Sequence, residues 1–233
     1  MIKIGCCGFP VARERYYKKF SVVEVQSTFY DFINPATLEK WRAEAPEGFE
    51  FVLKAFQFIT HPANSPTYKR AKHIGNLRLE ELGNFQPTKA VFNCYESLKE
   101  YAEILKAKVI IFQSPPSFQP TEENIKNMEK FFGKIDRKNF ILGWEPRGKW
   151  QSAEIKKVCE RLNLVDVVDP FVRETTYGRI FYYRLHGGKG YKHKFTDDEL
   201  KVLAEKIKGK IGYVMFNNIT MFEDAQRFSE MRR

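Results

Sequence analysis

The chain has 233 residues, of which 43% are hydrophobic and 29% are charged, and its formal net charge is +10 at pH 7. The hydrophobic share is sufficient for a packed core, which excludes a chain that is disordered throughout. No apolar stretch approaches the ~20 residues that a transmembrane helix needs, and no signal-peptide pattern precedes the first apolar run. We therefore expect a cytoplasmic protein without a membrane partner.

Eight apolar runs follow one another along the chain, and each ends in polar or ionisable residues. Such runs are typical of parallel strands that are buried on both faces. In chain order, the predicted strands are Ile2–Cys7, Val22–Gln26, Phe49–Lys54, Val109–Gln113, Phe140–Glu145, Val165–Asp169, Phe181–His186 and Tyr213–Asn217.

Segments with apolar residues at helical spacing lie between most of these strands. Asn34 and Pro35 open one of them with a capping residue and a proline that fits the first helical position. Thr196 and Glu199 form the pattern of a capping box in another. Predicted helices begin at Pro35 and after Thr121, and others cover Val11–Phe20, Ser97–Ala107, Ser152–Leu162, Asp197–Ile207 and Glu223–Met231.

The alternation of strands and helices predicts a mostly parallel sheet, and eight strands are enough to close a barrel. Two intervals depart from it. The chain between Asp169 and Phe181 is too short for a full helix, and an insertion of about residues 57–95 follows the third strand. We predict an α/β fold: a single TIM-like (β/α)8 barrel domain over residues 1–233, with irregular or shortened helices and this insertion.

Four cysteines, Cys6, Cys7, Cys94 and Cys159, match no spacing of zinc or iron–sulfur ligands. Cys6 and Cys7 are adjacent, so in a strand their side chains point to opposite faces. The pattern favours buried free thiols in a reducing compartment.

The carboxyl ends of the predicted strands indicate a polar pocket, because barrel enzymes carry their chemistry at that face. Residues i and i+2 of a strand share a face, so Glu24 and Arg184 are expected one layer below Gln26 and His186. The candidate catalytic residues are Glu145, His186, Glu24 and Asp169, and the candidate substrate-binding residues are Lys54, Arg147, Arg184, Gln26, Gln113, Asn217, Tyr30 and His61.

Several candidates have more than one interpretation. Glu145 is suited to a general base, a metal ligand or an acceptor for substrate hydroxyls, or it forms a structural ion pair with Arg147. Lys54 is suited to anion binding, to an ion pair with Glu24, or to a Schiff base if its pKa is lowered. His186 is either an acid/base group or a hydrogen-bonded core residue.

The glycine-rich segment Gly187–Gly190 after the seventh strand can expose backbone N–H groups to an anion, or it is simply a flexible turn. It is not a P-loop. Asp169 and Asn217 are suited either to orienting a substrate or to capping turns. Gln113 is suited to donating a hydrogen bond to a ligand.

The sequence predicts no metal site, although a divalent metal stays open as a cofactor. The residues of a suitable type for metal binding do not occur at the short spacings of metal sites. These residues are Glu24, Glu145, Asp169, His61 and His186. The charge of +10 favours an anionic partner, either nucleic acid or a phosphorylated small molecule, unless it only reflects a solvated lysine- and glutamate-rich surface. The oligomeric state is left open.

Taken together, these segments resemble the YecE-like family, a family of domains of unknown function (number 72). The resemblance implies a TIM-type barrel and no established reaction, and such barrels have been compared with metal-dependent apurinic endonucleases at the level of fold. The matching motifs are Gly5–Gly8, Val23–Tyr30, Pro46–Phe49, Lys54-Ala55, Ile59–His61, Phe112–Phe118, Glu145–Arg147, Arg184–Gly187 and Phe216–Asn218.

The chain departs from the common family pattern at several places. Gln26 stands where many members have asparagine, and Pro146 separates Glu145 from the arginine that usually follows it directly. The usual Gly-Thr-Ser-Gly-Trp opening is Gly5-Cys6-Cys7-Gly8-Phe9 here. These differences concern the substrate more than the fold.

Our first functional hypothesis is an enzyme, a hydrolase or a lyase, that acts on a small anionic substrate of the phosphorylated or sugar-containing type. Lys54, Arg147 and Arg184 would bind negative charge, with Glu145 as the leading acid/base group and His186 as the second. The alternative is a nucleic-acid-binding protein or an endonuclease-like phosphodiesterase. A third reading is a barrel that serves only as a binding module.

Overall fold

Eight parallel strands pair in chain order and close into a barrel, which confirms the predicted TIM-like α/β fold. The computed structural model describes residues 1–73, 77–187 and 190–232. Closure is made by β1 and β8, whose register places Ile2 beside Gly212 and Cys6 beside Phe216. The strands are β1 Ile2–Cys7, β2 Val22–Val25, β3 Glu50–Lys54, β4 Val109–Gln113, β5 Ile141–Glu145, β6 Val165–Val168, β7 Phe181–Leu185 and β8 Gly212–Phe216.

Helices of unequal length surround the barrel. Two of the starts follow the predicted caps: the Asn34 side chain accepts from the Ala36 N–H at 3.0 Å, and Thr196 and Glu199 form a capping box. The helices are α1 Arg13–Tyr17, α2 Ser27–Tyr30, α3 Pro35–Glu44, α4 Gln57–Thr60, α5 Lys89–Ile104, α6 Glu122–Lys134, α7 Ser152–Leu162, α8 Asp197–Lys206 and α9 Met221–Met231.

The segment after β3 differs in part from the expected insertion. It holds the short helix α4 and two 3-10 turns, Pro66–Arg70 and Leu79–Glu81. Helix α5 then begins at Lys89, well before the predicted start at Ser97, so the last residues of the expected insertion are helical. The reason is local: the Thr88 side chain accepts from the Val91 N–H at 3.2 Å and caps the earlier start.

The crossover from β6 to β7 contains no helix among its described residues, in agreement with the irregular connection that we predict. The buried Asp166 carboxylate holds it. It accepts from the Arg173 guanidinium at 2.7 Å, and from the backbone N–H and hydroxyl of Thr176 at 2.8 Å each. These charge-assisted hydrogen bonds tie the crossover to β6, where no helix packs on the strands.

The apolar core has two parts, one inside the barrel and one between the strands and the helices. The adjacent cysteines are divided between them, with Cys7 inside the barrel and Cys6 outside, as strand geometry requires. The interior is tightly packed at Gly143, where an added Cβ would lie 2.7 Å from Val167 and 2.8 Å from Ile111. All four cysteines are buried free thiols.

No helix in the described part of the chain is long and apolar enough to cross a membrane.

Candidate functional site

A buried ion cluster forms the floor of the barrel mouth. Arg184 of β7 is fully buried, and its Nε and Nη2 donate to the two oxygens of Glu24 at 3.1 and 2.9 Å. The Tyr182 hydroxyl donates to Glu24 Oε2 at 2.8 Å. Burial alone would lower the pKa of Arg184, but Glu145 and Glu24 raise it well above its usual value. The predicted placement of Glu24 and Arg184 in a lower layer is therefore confirmed.

Glu145, the last residue of β5, lies one layer higher and is surrounded by donors. Its Oε2 accepts from Gln113 Nε2 at 2.8 Å and from Arg184 Nη1. Its Oε1 accepts from Arg147 Nη2 at 2.7 Å and faces His186 Nε2 at 3.2 Å. Burial would raise the pKa of Glu145, but Arg147, Arg184 and His186 together lower it well below its usual value. The carboxylate is ionised at neutral pH.

His186 stands at the rim of the mouth, immediately after β7. The Asn217 amide donates to Nδ1 at 3.0 Å, which leaves the ring proton of the neutral imidazole on Nε2, 3.2 Å from Glu145 Oε1. Burial lowers the pKa of His186, against the opposing effect of Glu145. Arg147 Nη2 also contacts Nε2, so two nitrogen donors meet there, and Glu145 Oε1 accepts from both of them. The result is a neutral imidazole whose side chain is 18% exposed.

Lys54, the last residue of β3, is buried without an ion pair among the described residues. Its Nζ donates to Gln113 Oε1 at 2.9 Å and lies 3.7 Å from the centre of the Phe29 ring. The ion pair with Glu24 that the sequence leaves open does not form, because Arg184 occupies both oxygens of that carboxylate. Burial and the nearby Arg184 lower the pKa of Lys54 to about 7.

Two glutamine amides connect these charged groups. Gln113 accepts from Lys54 and donates to Glu145, which fixes the orientation of its amide. Gln26 donates through Nε2 to Glu24 Oε1. Most of the predicted polar strand ends are thus joined in one hydrogen-bonded network from Lys54 to Asn217.

The open space at this network is small. A cavity of about 80 Å³ adjoins it, lined by Glu145, Arg147, Asp169 and Arg173 among others. A cavity needs about 10–15 Å³ of such space to hold one water molecule, so this cavity has room for a small group only. A larger ligand would keep most of its body outside the mouth.

Three candidates from the sequence, Asp169, Tyr30 and His61, do not join the network through their side chains. Asp169 accepts from the backbone N–H groups of Phe171 at 3.0 Å and His186 at 2.9 Å, so it anchors the backbone that carries His186. The ring of Tyr30 is covered by the Arg70 guanidinium, which lies 3.7 Å from the ring centre.

His61, from the segment after β3, lies close to Lys54 but outside the network. Its Nδ1 is 2.8 Å from the Thr60 hydroxyl, and its ring packs edge-on against Phe29 with centroids 4.9 Å apart. Burial and the neighbouring Lys54 lower the pKa of His61 to about 3. Phe29 therefore contacts both the Lys54 amine and the His61 ring, and the pKa values of both groups are lowered.

One side chain of the buried ion cluster was missed in the sequence analysis. Tyr182 shares a face with Arg184, two residues on, and its buried hydroxyl binds Glu24. The same period-two rule that placed Arg184 below His186 would also have found Tyr182 one layer lower.

The predicted anion-binding turn is described only at its ends, since Gly188 and Lys189 lie outside the described residues. Gly187 has φ +79°, and an added Cβ would lie 2.3 Å from His193. The Gly190 N–H donates to the Gly187 carbonyl at 2.8 Å. A glycine is thus required at position 187 for both conformation and space.

In the described ranges, no group of three or more His, Cys, Asp or Glu side chains is arranged to hold a metal ion. Within the network, Glu24 and Glu145 cannot share a metal ion, because the Arg184 guanidinium binds both carboxylates.

Comparison with known proteins gives the family. A profile described as "Protein of unknown function DUF72" matches residues 12–233. The chain belongs to the DUF72 family. A curated relative is the UPF0759 protein YunF of Bacillus subtilis (strain 168), which is 30% identical over 113 residues. That match covers 48% of this DUF72 chain and only 34% of the length of YunF.

Solved DUF72 structures have the same fold. The protein EF0366 from Enterococcus faecalis V583 is 19% identical, with a TM-score of 0.74 over 100% of this chain and 97% of that one. The protein TM1631 from Thermotoga maritima MSB8 is 20% identical, with a TM-score of 0.71 over 100% and 99%. At this level of identity the likeness shows the DUF72 barrel alone and no activity.

Proposed function

We propose that this DUF72 barrel is an enzyme that performs acid–base chemistry on a small anionic substrate at its C-terminal mouth. The observation that carries the proposal is the contact between the neutral, partly exposed imidazole of His186 and the ionised carboxylate of Glu145. A carboxylate behind an imidazole fixes its tautomer and stabilises the imidazolium that forms when it takes up a proton.

In this arrangement His186 is the general base and Glu145 is its positioning partner. With the ring proton on Nε2 toward Glu145, Nδ1 is the nitrogen that accepts the substrate proton. Asn217 now donates to Nδ1 and would turn to the substrate when it binds. Glu145 itself is a poor base, because Arg147, Arg184 and His186 hold its pKa low.

Charge balance supports an anionic substrate. Glu24 and Glu145 are matched by Arg184 and Arg147, so protonation of Lys54 gives the network one net positive charge. An anion near Lys54 favours the protonated amine, and its binding therefore draws a proton from solvent. The partly exposed Arg147 offers the guanidinium fork that suits carboxylates and phosphates.

The experiment is a screen of carboxylated and phosphorylated metabolites for thermal stabilisation and for turnover by mass spectrometry, each at low and high salt. We expect a small anion to stabilise the protein more below pH 7 than above it, since Lys54 is charged only there. We expect turnover to fall by about 10²–10⁴-fold in His186→Asn, the usual contribution of a general base.

The matched control is Arg161→Gln, which removes a surface arginine that is bound to Glu129 far from the network and should leave binding and turnover unchanged. Full turnover in His186→Asn would overturn the proposed chemistry. Stabilisation by oligonucleotides alone, lost in high salt, would instead favour the nucleic-acid alternative.

A further inference from the structure

A second cavity lies at the opposite end of the barrel, where the helix between β6 and β7 is missing. Its volume is about 390 Å³, within the range of small-molecule pockets. We call it the outer groove; its lining includes Thr175, Arg179, Phe181, Tyr183, Lys210 and Ile211.

Two hydroxyl groups in the outer groove lack partners. The Tyr183 side chain is fully buried, and its hydroxyl makes no hydrogen bond to the described residues. The Thr175 hydroxyl oxygen is also buried and unpaired within the described part of the chain. Buried polar groups normally find partners, so two orphans lining one cavity point to an external group that satisfies them.

The position of Tyr183 follows from strand geometry. Phe181 and Tyr183 alternate with Tyr182 and Arg184 along β7, so they face away from the barrel interior and toward the helical layer. A helix between β6 and β7 would normally cover this face. The crossover here is irregular and is held by Asp166 instead, which leaves the groove open.

The rim of the groove carries positive charge. Arg179 is exposed and forms no ion pair or hydrogen bond with the described residues, and Lys210 is exposed as well. The acidic group near Lys210 is Glu174, which is already bound to Lys206. The wall beside these cations is apolar, with Ile211 60% exposed.

We infer that the outer groove binds a small carboxylate with an apolar body. The apolar part would pack on Phe181 and Ile211, within the field of Arg179. A side-chain shift would expose the hydroxyl groups of Tyr183 and Thr175, which are buried without ligand, and the carboxylate would accept from them. A charged acceptor forms stronger hydrogen bonds with such donors than a neutral one. This site is independent of the proposed catalytic mouth.

The test uses calorimetric titration of the full chain with benzoate as the probe, benzyl alcohol as its uncharged counterpart and acetate as the anion without a ring. We expect benzoate to bind at least about tenfold more tightly than either control compound. Tyr183→Phe should weaken benzoate by about tenfold, the loss expected for one charge-assisted hydrogen bond. Arg179→Gln should weaken benzoate more at low salt than at high salt, because Arg179 acts through a field that salt screens. The matched control Lys149→Gln should bind benzoate as the wild type does.

Stability of the variants without ligand gives a second readout. Tyr183→Phe removes an unpaired hydroxyl and should keep or raise the melting temperature. The matched variant Tyr95→Phe removes a hydroxyl that donates to the Asp136 carbonyl at 2.8 Å and should lower it. Absence of benzoate binding, or binding that neither Tyr183→Phe nor Arg179→Gln weakens, would overturn the inference. An equal loss of stability in the two tyrosine variants would show that the Tyr183 hydroxyl is already satisfied.

Discussion

At the scale of single residues, Lys54 has an environment that is unusual for a lysine. It is buried beside Arg184, and among the described residues its polar contacts are Gln113 and the face of Phe29. The cation–π contact favours the charged amine, whereas burial and Arg184 favour the neutral one. Since the pKa is lowered to about 7, the second pair of effects dominates.

This balance predicts a pH-dependent stability. The native amine binds its proton only below about pH 7, whereas the unfolded amine binds it up to the ordinary value of 10.5. Between these values the unfolded state holds more protons, so native stability rises with pH by up to about 1.4 kcal/mol per pH unit. Lys54→Met lacks this term, and we expect it to be more stable than the wild type below pH 7 and to lose that advantage toward pH 10.5.

Urea unfolding at pH values below, within and above this window measures the difference. Lys126→Met, which changes an exposed lysine paired with Glu122 on α6, serves as the control and should show no such trend. A Lys54→Met difference that stays constant across the window would contradict the lowered pKa.

At the scale of elements, the irregular crossover from β6 to β7 connects the two ends of the barrel. Asp166 holds its middle, Asp169 anchors the backbone of His186 at the mouth, and Thr175 lies in the outer groove at the other end. A crossover without a helix depends on few contacts, so the loss of one contact has a large effect.

We predict that Asp166→Asn destabilises the protein by about 2–3 kcal/mol. Breaking a fully buried ion pair costs about 3–5 kcal/mol, and Arg173 is partly exposed, which reduces the effect. Asp198→Asn, which breaks a surface pair with Lys201, should have no measurable effect. Chemical denaturation compares the two variants, and equal stabilities would show that Asp166 does not hold the crossover.

At the scale of the whole molecule, the charge of +10 is spread over a surface of short-range ion pairs. Many are i,i+3 or i,i+4 pairs on helices, such as Lys18 with Glu14, Lys126 with Glu122 and Lys201 with Asp198. Exposed pairs of this kind contribute little to stability and are screened by salt. The ions at the mouth are buried and are screened much less.

Salt therefore separates surface binding from binding at the mouth. We expect stabilisation by a small anion that fits the mouth to persist at high salt, whereas any stabilisation by oligonucleotides should disappear. Melting temperatures at low and high salt measure both effects. If salt reduced the stabilisation by the small anion as much as the stabilisation by oligonucleotides, the small anion would bind at the surface and not at the mouth.

Much of the fold was predictable from the sequence, because parallel strands that are buried on both faces consist of apolar runs. Helix caps are likewise visible in the local sequence. The period-two rule also placed Glu24 and Arg184 below the mouth. The earlier start of α5 was missed, since the expected start rested on the apolar stripe from Leu98 and not on the cap at Thr88.

The sequence by itself determined which polar residues reach one end of the barrel, because strand direction and side-chain alternation are properties of the local chain. Only the tertiary structure decided how they pair. Arg184 binds Glu24 and Glu145 while Lys54 is left without a carboxylate, since these choices depend on distances across the barrel between residues of different strands. The outer groove likewise arises only when the chain folds, because its lining comes from the β6–β7 crossover, from β7 and from the residues before β8.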